Sequence, residues 1–416
     1  MDGTRGPRKQ WLTWAWALVA LGMCLLPASA EAYPWMIRHG YTGCGVCHVD
    51  PSGAGLLTDY GRAQNALLMQ MNYGSTAPTT AYSGFAFGVV PMPDWLLAQV
   101  TFRGAEFWVS ETTPGTNGNP STTVSDQRFL MMLLDARAEI KLGIFRAGGS
   151  IGWGTTPFTL PAVVVTNAAA DEMLLSRDYW VGLAPEDGLL IRLGRINLPF
   201  GMRNVEHTAW VRNNTQTDIN YSQQSGLSVA FDNGHVRTEV MAILGNLNIS
   251  PDAYRQRGFS GLVEVPVAER ATVGFSALVT RAELTLFAPT PTSGLPGLRQ
   301  VYALFSRYAP IEQVVVMVEA DIFFNNNLGS GVVQGNAATW LQVDWEPIQG
   351  IHFAPAVETL NTYGVNGTSL GAWMTVDWFC LPHTDIRLDG VYRYEQAARG
   401  PASNVFSFLI QLHTYL

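Results

Sequence analysis

The 416-residue chain predicts an all-β fold, in which a transmembrane barrel of about sixteen antiparallel strands follows a small, mostly helical N-terminal domain. Three observations predict it. From Trp95 onward the apolar residues recur with a period of two, and charges keep to one face of each strand. Short turns alternate with long polar loops along the whole of that stretch. The strand candidates number roughly sixteen, an even count as outer-membrane barrels require.

Residues 1–32 read as a secretory signal peptide. Arg5, Arg8 and Lys9 make the basic start, Trp11 to Leu26 the apolar run, and Ala28-Ser29-Ala30 and Ala30-Glu31-Ala32 two small-residue cleavage sites. The apolar run falls short of the ~20 residues of a spanning helix. Cys24 follows Met23 inside that run, which disfavours lipoprotein processing.

Residues 33–80 form the N-terminal domain and its linker, and they hold Cys44-Gly45-Val46-Cys47-His48. In C-x-x-C-H two thiols at this spacing form thioethers to haem vinyl groups, and the adjacent imidazole binds the iron from the proximal side. A redox dithiol would sit near a βαβ pattern, and a zinc site would need a second ligand pair; residues 33–75 offer neither. Cys44, Cys47 and His48 are therefore read as the attachment site of one covalent haem c. Export fits this, since c-type haem is attached outside the bacterial cytoplasm. Met69, Met71, His39 and Met36 are the sixth-ligand candidates, and the choice among them stays open. Arg62 to Met71 reads as a short helix, and Ser75 to Thr80 as a polar linker. About forty residues rarely bury enough surface to stand alone, so this domain is expected to lean on the rest of the chain.

Residues 81–416 form the barrel. In Met131 to Leu142, Asp135, Arg137, Glu139 and Lys141 share one face, while Leu134, Ala136, Ile140 and Leu142 share the other. Thr384 to Gln396 sets Asp385, Arg387, Asp389, Arg393 and Glu395 against Ile386, Leu388 and Tyr392, and Val314 to Phe324 repeats the pattern around Glu319 and Asp321. The charged faces are expected to look into the lumen and hold the N-terminal domain as a plug. Long loops are expected at 111–126, 155–172, 199–222, 246–256, 283–296 and 325–336. Val405 to Leu416 reads as the closing strand. Trp95, Trp108, Trp345, Trp373, Trp378, Tyr392 and Tyr394 are candidates for interfacial girdles.

A net charge of -8 with no basic run beyond the N-terminus argues against a nucleic-acid partner. No P-loop, dinucleotide glycine motif or Ser/His/Asp arrangement stands in a convincing context. His207, His235, His352, His383 and His413 read as lumen or turn residues, and Cys380 as a small apolar residue at a strand end.

Arg38-His-Gly-Tyr-Thr-Gly43, the C-x-x-C-H motif and Leu56-Leu-Thr-Asp-Tyr-Gly-Arg62 together resemble the N-terminal signature of fused monohaem cytochrome–porins. Gly194-Arg-Ile-Asn-Leu-Pro-Phe-Gly201 is similar to a segment common in porin-type barrels. The first resemblance implies a bacterial outer-membrane protein in which a haem c domain plugs the barrel. It also implies electron transfer from an extracellular donor, Fe(II) or another small reductant, to a periplasmic c-type cytochrome or other redox carrier. An Fe(II)-oxidising activity is part of that expectation. Cys44, Cys47 and His48 carry over from the family; Val49 to Gly55, Gly-rich here, departs from its iron-oxidising members. Three alternatives stand beside this reading: a diffusion porin with a structural or regulatory haem segment, a haem enzyme acting on a small extracellular molecule, and a subunit wrapped around a separate multihaem cytochrome.

Overall fold

A computed structural model describes residues 34–73, 83–115, 120–155, 172–204, 206, 208–249, 251–284, 295–397 and 400–416. The expected signal peptide and the 75–80 linker lie outside these residues. Past the N-terminal domain the chain is one sheet closed on itself. Its strands are β1 (Leu96–Thr113), β2 (Thr122–Leu142), β3 (Phe145–Thr155), β4 (Glu172–Leu175), β5 (Tyr179–Glu186), β6 (Leu189–Ile196), β7 (Gln224–Asp232), β8 (Arg237–Gly245) and β9 (Arg257–Ala268). The second half runs β10 (Ala271–Ala282), β11 (Gly297–Ile311), β12 (Val314–Asn327), β13 (Val333–Ile348), β14 (Ile351–Asn361), β15 (Ser369–Leu381), β16 (Thr384–Glu395) and β17 (Ser403–Tyr415).

Apart from β4 and β5, each strand pairs antiparallel with its sequence neighbours, and β17 returns to pair with β1, Thr101 opposite Tyr415. β4 and β5 both pair with β3, Leu175 opposite Gly152 and Tyr179 opposite Gly149, so they are two halves of one span. The barrel therefore has sixteen spans, as the sequence predicts. Closure pairs the first strand with the last, which is what lets a sheet stand in a medium without water to pair its backbone.

The alternation sorts the side chains as expected. Phe259, Val181, Leu304 and Ile322 point outward and are exposed, forming an apolar exterior of the kind lipid requires. Asp135, Glu139, Glu319, Asp321 and Asp389 point inward and are buried. Inward residues such as Thr272, Ser276 and Trp340 are at most 1 % exposed, so the lumen around them is filled. Seven tight turns, such as 349–350 and 382–383, define one end of the barrel; both chain ends of the sheet lie there too.

Two expectations shift. Strand pairing runs further into the 111–126 and 325–336 stretches than the loop composition suggests, with Asn326 opposite Val333 and Thr113 opposite Thr122. Trp373 belongs to no girdle. It is 7 % exposed and faces inward, where its Nε1–H donates to Glu358 Oε1 at 2.8 Å and its ring meets Trp340 edge-on at 5.5 Å. Its alternation with Thr375 and Asp377 puts it on the polar face, and the buried indole needs the acceptor it finds there. Trp95, Trp345, Trp378 and Tyr392 are exposed on the outside.

Among the described residues, two segments fill the lumen. One is the N-terminal domain, residues 34–73. The other is the connection between β6 and β7, residues 197–223, which turns inward and carries one short helix, α2 (Trp210–Asn213). Its Phe200, Met202, Trp210 and Val211 join inward apolar residues of β11 to β13 and Ile37 of the N-terminal domain in a single core. The apolar core of this protein is thus inside its barrel.

Candidate functional site

The Cys44–His48 stretch is one helical turn: the amides of Cys47 and His48 donate to the Cys44 carbonyl at 3.3 and 3.0 Å. An i, i+3 spacing on such a turn sets two thiols on adjacent positions of one side, followed directly by the imidazole. The chain then loops out through Asp50 and returns. His48 and Leu57 form an isolated bridge, Val49 N–H donates to Leu56 O at 3.0 Å, and Thr58 N–H donates to Cys47 O at 2.8 Å. The loop between them needs its glycines. Gly53 has φ +88° and a Cβ there would press to 3.3 Å from Cys44 Sγ, so the Gly-rich departure at Val49–Gly55 is what lets the loop fold back over the first thiol.

Thr58 then starts helix α1 (Asp59–Gln64), its side-chain oxygen accepting from Gly61 N–H at 3.0 Å. One wide turn over Asn65–Met69 continues it. The helix therefore begins three residues before the expected Arg62 and ends at Met69, because the capping hydroxyl lies at 58.

Inward guanidiniums of the barrel hold this domain through its backbone carbonyls and one carboxylate. Arg307 Nη2 donates to Thr42 O at 2.6 Å, Arg237 Nη1 to Pro51 O at 3.1 Å and Arg203 Nε to Ser52 O at 3.2 Å. Glu264 stands between two of them, accepting from Arg237 Nε at 3.0 Å and Arg307 Nε at 2.9 Å. Asp50 accepts from Asn197 Nδ2 at 2.8 Å and stands 3.4 Å from Arg192 Nη2. Burial alone would raise the Asp50 carboxyl, but Arg192, Arg203, Asn197 and the Ser52 N–H hold it down at about 2. From the domain's own side, Arg38 reaches Asp344 and, at 2.5 Å, Glu346 Oε2. Met71 N–H donates to Phe379 O at 3.0 Å and Tyr73 Oη–H to Cys380 O at 2.7 Å, closing the domain against the short-turn end.

His48 borders a cavity of about 450 Å³ together with Thr58, Lys141, Arg146, Glu186 and Arg237. The cavity lies among the tight turns after β2, β5 and β7. Cys44 and Cys47 are buried, and no disulfide joins them. Two thiols at i and i+3, an adjacent imidazole and open space beside that imidazole fit a covalently attached haem c, which Cys44 and Cys47 would attach and whose iron His48 would bind.

The four sixth-ligand candidates do not border that cavity. Met36 and Met69 pack with Phe379 in a small apolar cluster, where Met69 Sδ accepts from Asn65 Nδ2 at 3.2 Å. Met71 Sδ accepts from Trp378 Nε1–H at 2.8 Å, and His39 Nδ1 lies 3.5 Å from Glu312. Sequence reasoning missed the residues that grip the loop behind the haem motif, Asn197, Arg203 and Arg192. The GRINLPFG stretch contains the first of them. The remaining signal was faint: one buried arginine on the short strand β6 and another on the connection that follows it.

No protein-family model matches the chain, and no curated protein matches it in sequence. Solved structures do match its shape. An anion-selective porin from Comamonas acidovorans aligns with a TM-score of 0.56 at 10% identity, covering 77% of this chain and 99% of its own. The outer-membrane expressed OmpT of Vibrio cholerae gives 0.54 at 10% identity, covering 79% and 100%. The outer-membrane channel DcaP of Acinetobacter baumannii gives 0.51 at 12%, covering 77% and 97%. The fold is that of the porins.

Proposed function

We propose that this protein is an outer-membrane electron conduit, a porin-type barrel plugged at its periplasmic end by a monohaem c domain. The observation that carries the reading is the position of the Cys44–His48 turn: inside the lumen, pinned by Arg307, Arg237 and Arg203, beside a cavity among the short turns. In outer-membrane barrels the short turns face the periplasm and the long loops the outside. A haem held by Cys44, Cys47 and His48 supplies a one-electron iron couple there.

The chain's own residues do the rest. The barrel wall keeps lipid from the site. Asp50, Asn197 and Arg192 fix the loop behind the first thiol. The cavity beside His48 leaves a face toward the periplasmic mouth, where a c-type cytochrome or other carrier accepts the electron. The donor on the outside would be Fe(II) or another small reductant able to give up one electron.

The buried inward residues weigh against solute diffusion as the main activity, since a water-filled pore would leave Thr272 and Ser276 accessible. Stopped-flow haem reduction with protein in vesicles tests the reading. Reduction by Fe(II) supports iron oxidation, and reduction only by organic donors moves the donor class. No reduction by any external donor removes electron transfer.

A further inference from the structure

A second polar site lies on the opposite side of the lumen from Asp50. The strand register builds it. His352 on β14 is directly opposite Asp377 on β15, and Asp385 on β16 is directly opposite His413 on β17. All four side chains line one cavity of about 100 Å³, closed on the lumen side by Trp35 of the plug and Met202 of the inward connection.

Three polar atoms of its lining residues have no hydrogen bond: the Asn204 Nδ2 donor, His352 Nε2 and Asp377 Oδ1. His352 is 1 % exposed, and its Nε2 is unsatisfied, the nearest acid oxygen being Glu346 Oε1 at 3.6 Å. Asp377 Oδ1, on the residue paired with it, is unsatisfied too. Meanwhile His352 Nδ1 sits 3.1 Å from Asp344 Oδ1. With Asp344 a carboxylate, that contact puts the ring proton on Nδ1 and the lone pair on Nε2. A carboxylate behind an imidazole is the usual outer partner of a metal-binding histidine, fixing its tautomer and raising its basicity.

The charges agree. Asp344, Asp377 and Asp385 line the cavity, and Glu346, Asp389 and Glu206 stand behind them on the arginines. Arg38, Arg103 and Arg387 are the guanidiniums that face them. Six carboxylates against three guanidiniums leave negative charge in a low-dielectric wall, and protons or a cation must offset it.

We propose that His352 Nε2 and the Asp377 carboxylate bind a first-row divalent metal cation in this cavity, with Asp385 beside them. A mixed imidazole and carboxylate set suits such ions better than calcium or magnesium. Among the described residues no three His, Cys, Asp or Glu side chains already converge on one point, so the ion keeps water in its other positions. Its link to electron transfer rests on the function proposed above, because a metal donor bound here would touch the plug at Trp35. The metal site itself does not depend on haem.

The test uses Mn(II) with the full-length barrel in detergent, its folding checked by heat-dependent gel mobility. Electron paramagnetic resonance is expected to show one Mn(II) bound per chain, and spin-echo modulation to show a directly coordinated imidazole nitrogen. Asp377→Asn and His352→Gln are expected to weaken binding roughly tenfold or more, while Asp126→Asn in the outer hairpin leaves it unchanged. Should either variant fail to fold, the nitrogen signature in the unaltered protein decides alone. No binding above the level of loop carboxylates, or an all-oxygen coordination sphere, overturns the proposal and assigns the gap to a proton or water. Mn(II) binding in protein without haem would uphold the site even if electron transfer fails.

Discussion

Asn197 Nδ2 donates to Asp50 Oδ2 at 2.8 Å, joining the loop that follows the Cys44–His48 turn to the first residue past β6. This contact spans 147 positions of sequence and links the two segments that fill the lumen. It also places Asp50 where Arg192 and Arg203 can neutralise it.

Asp50→Asn removes the carboxylate that those guanidiniums face. Stranding buried charge costs about 3–5 kcal/mol, so the Val49–Gly55 loop is expected to lose its hydrogen-exchange protection while the barrel strands keep theirs. The pH dependence has a definite sign. The folded carboxyl, near 2, lies below its ordinary 3.8, so the contribution is present above that ordinary value and disappears as pH falls toward 2. It amounts to about 2 kcal/mol. In Asp50→Asn this part of the acid sensitivity is expected to vanish.

Arg38→Gln leaves Asp344 and Glu346 without their guanidinium. The first turn of the plug then loses its strongest tie to β13. Single-channel recording in planar bilayers is expected to show frequent openings in this variant and rare ones in the unaltered protein. Equal conductance in both would mean that residues 34–39 do not help to close the lumen.

Gly350 combines φ +85° with a close approach, since a Cβ there would lie 2.7 Å from the Met71 amide nitrogen. Gly350→Ala is expected to cost about 1–2 kcal/mol from the backbone alone, and more from the displaced Met71 N–H to Phe379 O bond. Limited proteolysis at the end of the plug is expected to accelerate, with barrel assembly unaffected.

His383 in the turn after β15 stacks between Phe87 at 5.4 Å and Tyr415 at 4.6 Å. Burial, reinforced by Arg62, lowers its pKa from 6.5 to about 4. The unfolded turn therefore binds a proton that the folded one refuses. Stability is full above pH 6.5 and falls as pH drops from there toward 4, by up to about 3 kcal/mol. Hydrogen exchange at Tyr415 and Leu416 is expected to quicken over that window, and His383→Phe is expected to abolish the change.

Much of this architecture was legible because a barrel wall repeats one simple constraint. Alternation in β2, β12 and β16 follows from apolar medium outside and polar contents inside, so Asp135, Glu319 and Asp389 could be placed inward from the sequence. Trp373 could have been placed the same way, by its parity with Asp377; chemistry class suggested a girdle and register decided otherwise. The C-x-x-C-H motif stands out because its residues are adjacent. Its supports were not, since Asn197, Arg203 and Arg237 reach it from loops and strands far along the chain. The pairing of His352 with Asp377 was hidden for the same reason: it depends on a register that no local pattern states.

Intact mass measurement of the denatured protein, produced in cells that attach c-type haem, tests the central claim most directly. The exported chain is expected to carry one haem's added mass, retained through denaturation and lost in the Cys44→Ser, Cys47→Ser double variant. A correctly exported, folded barrel with no added mass would contradict it.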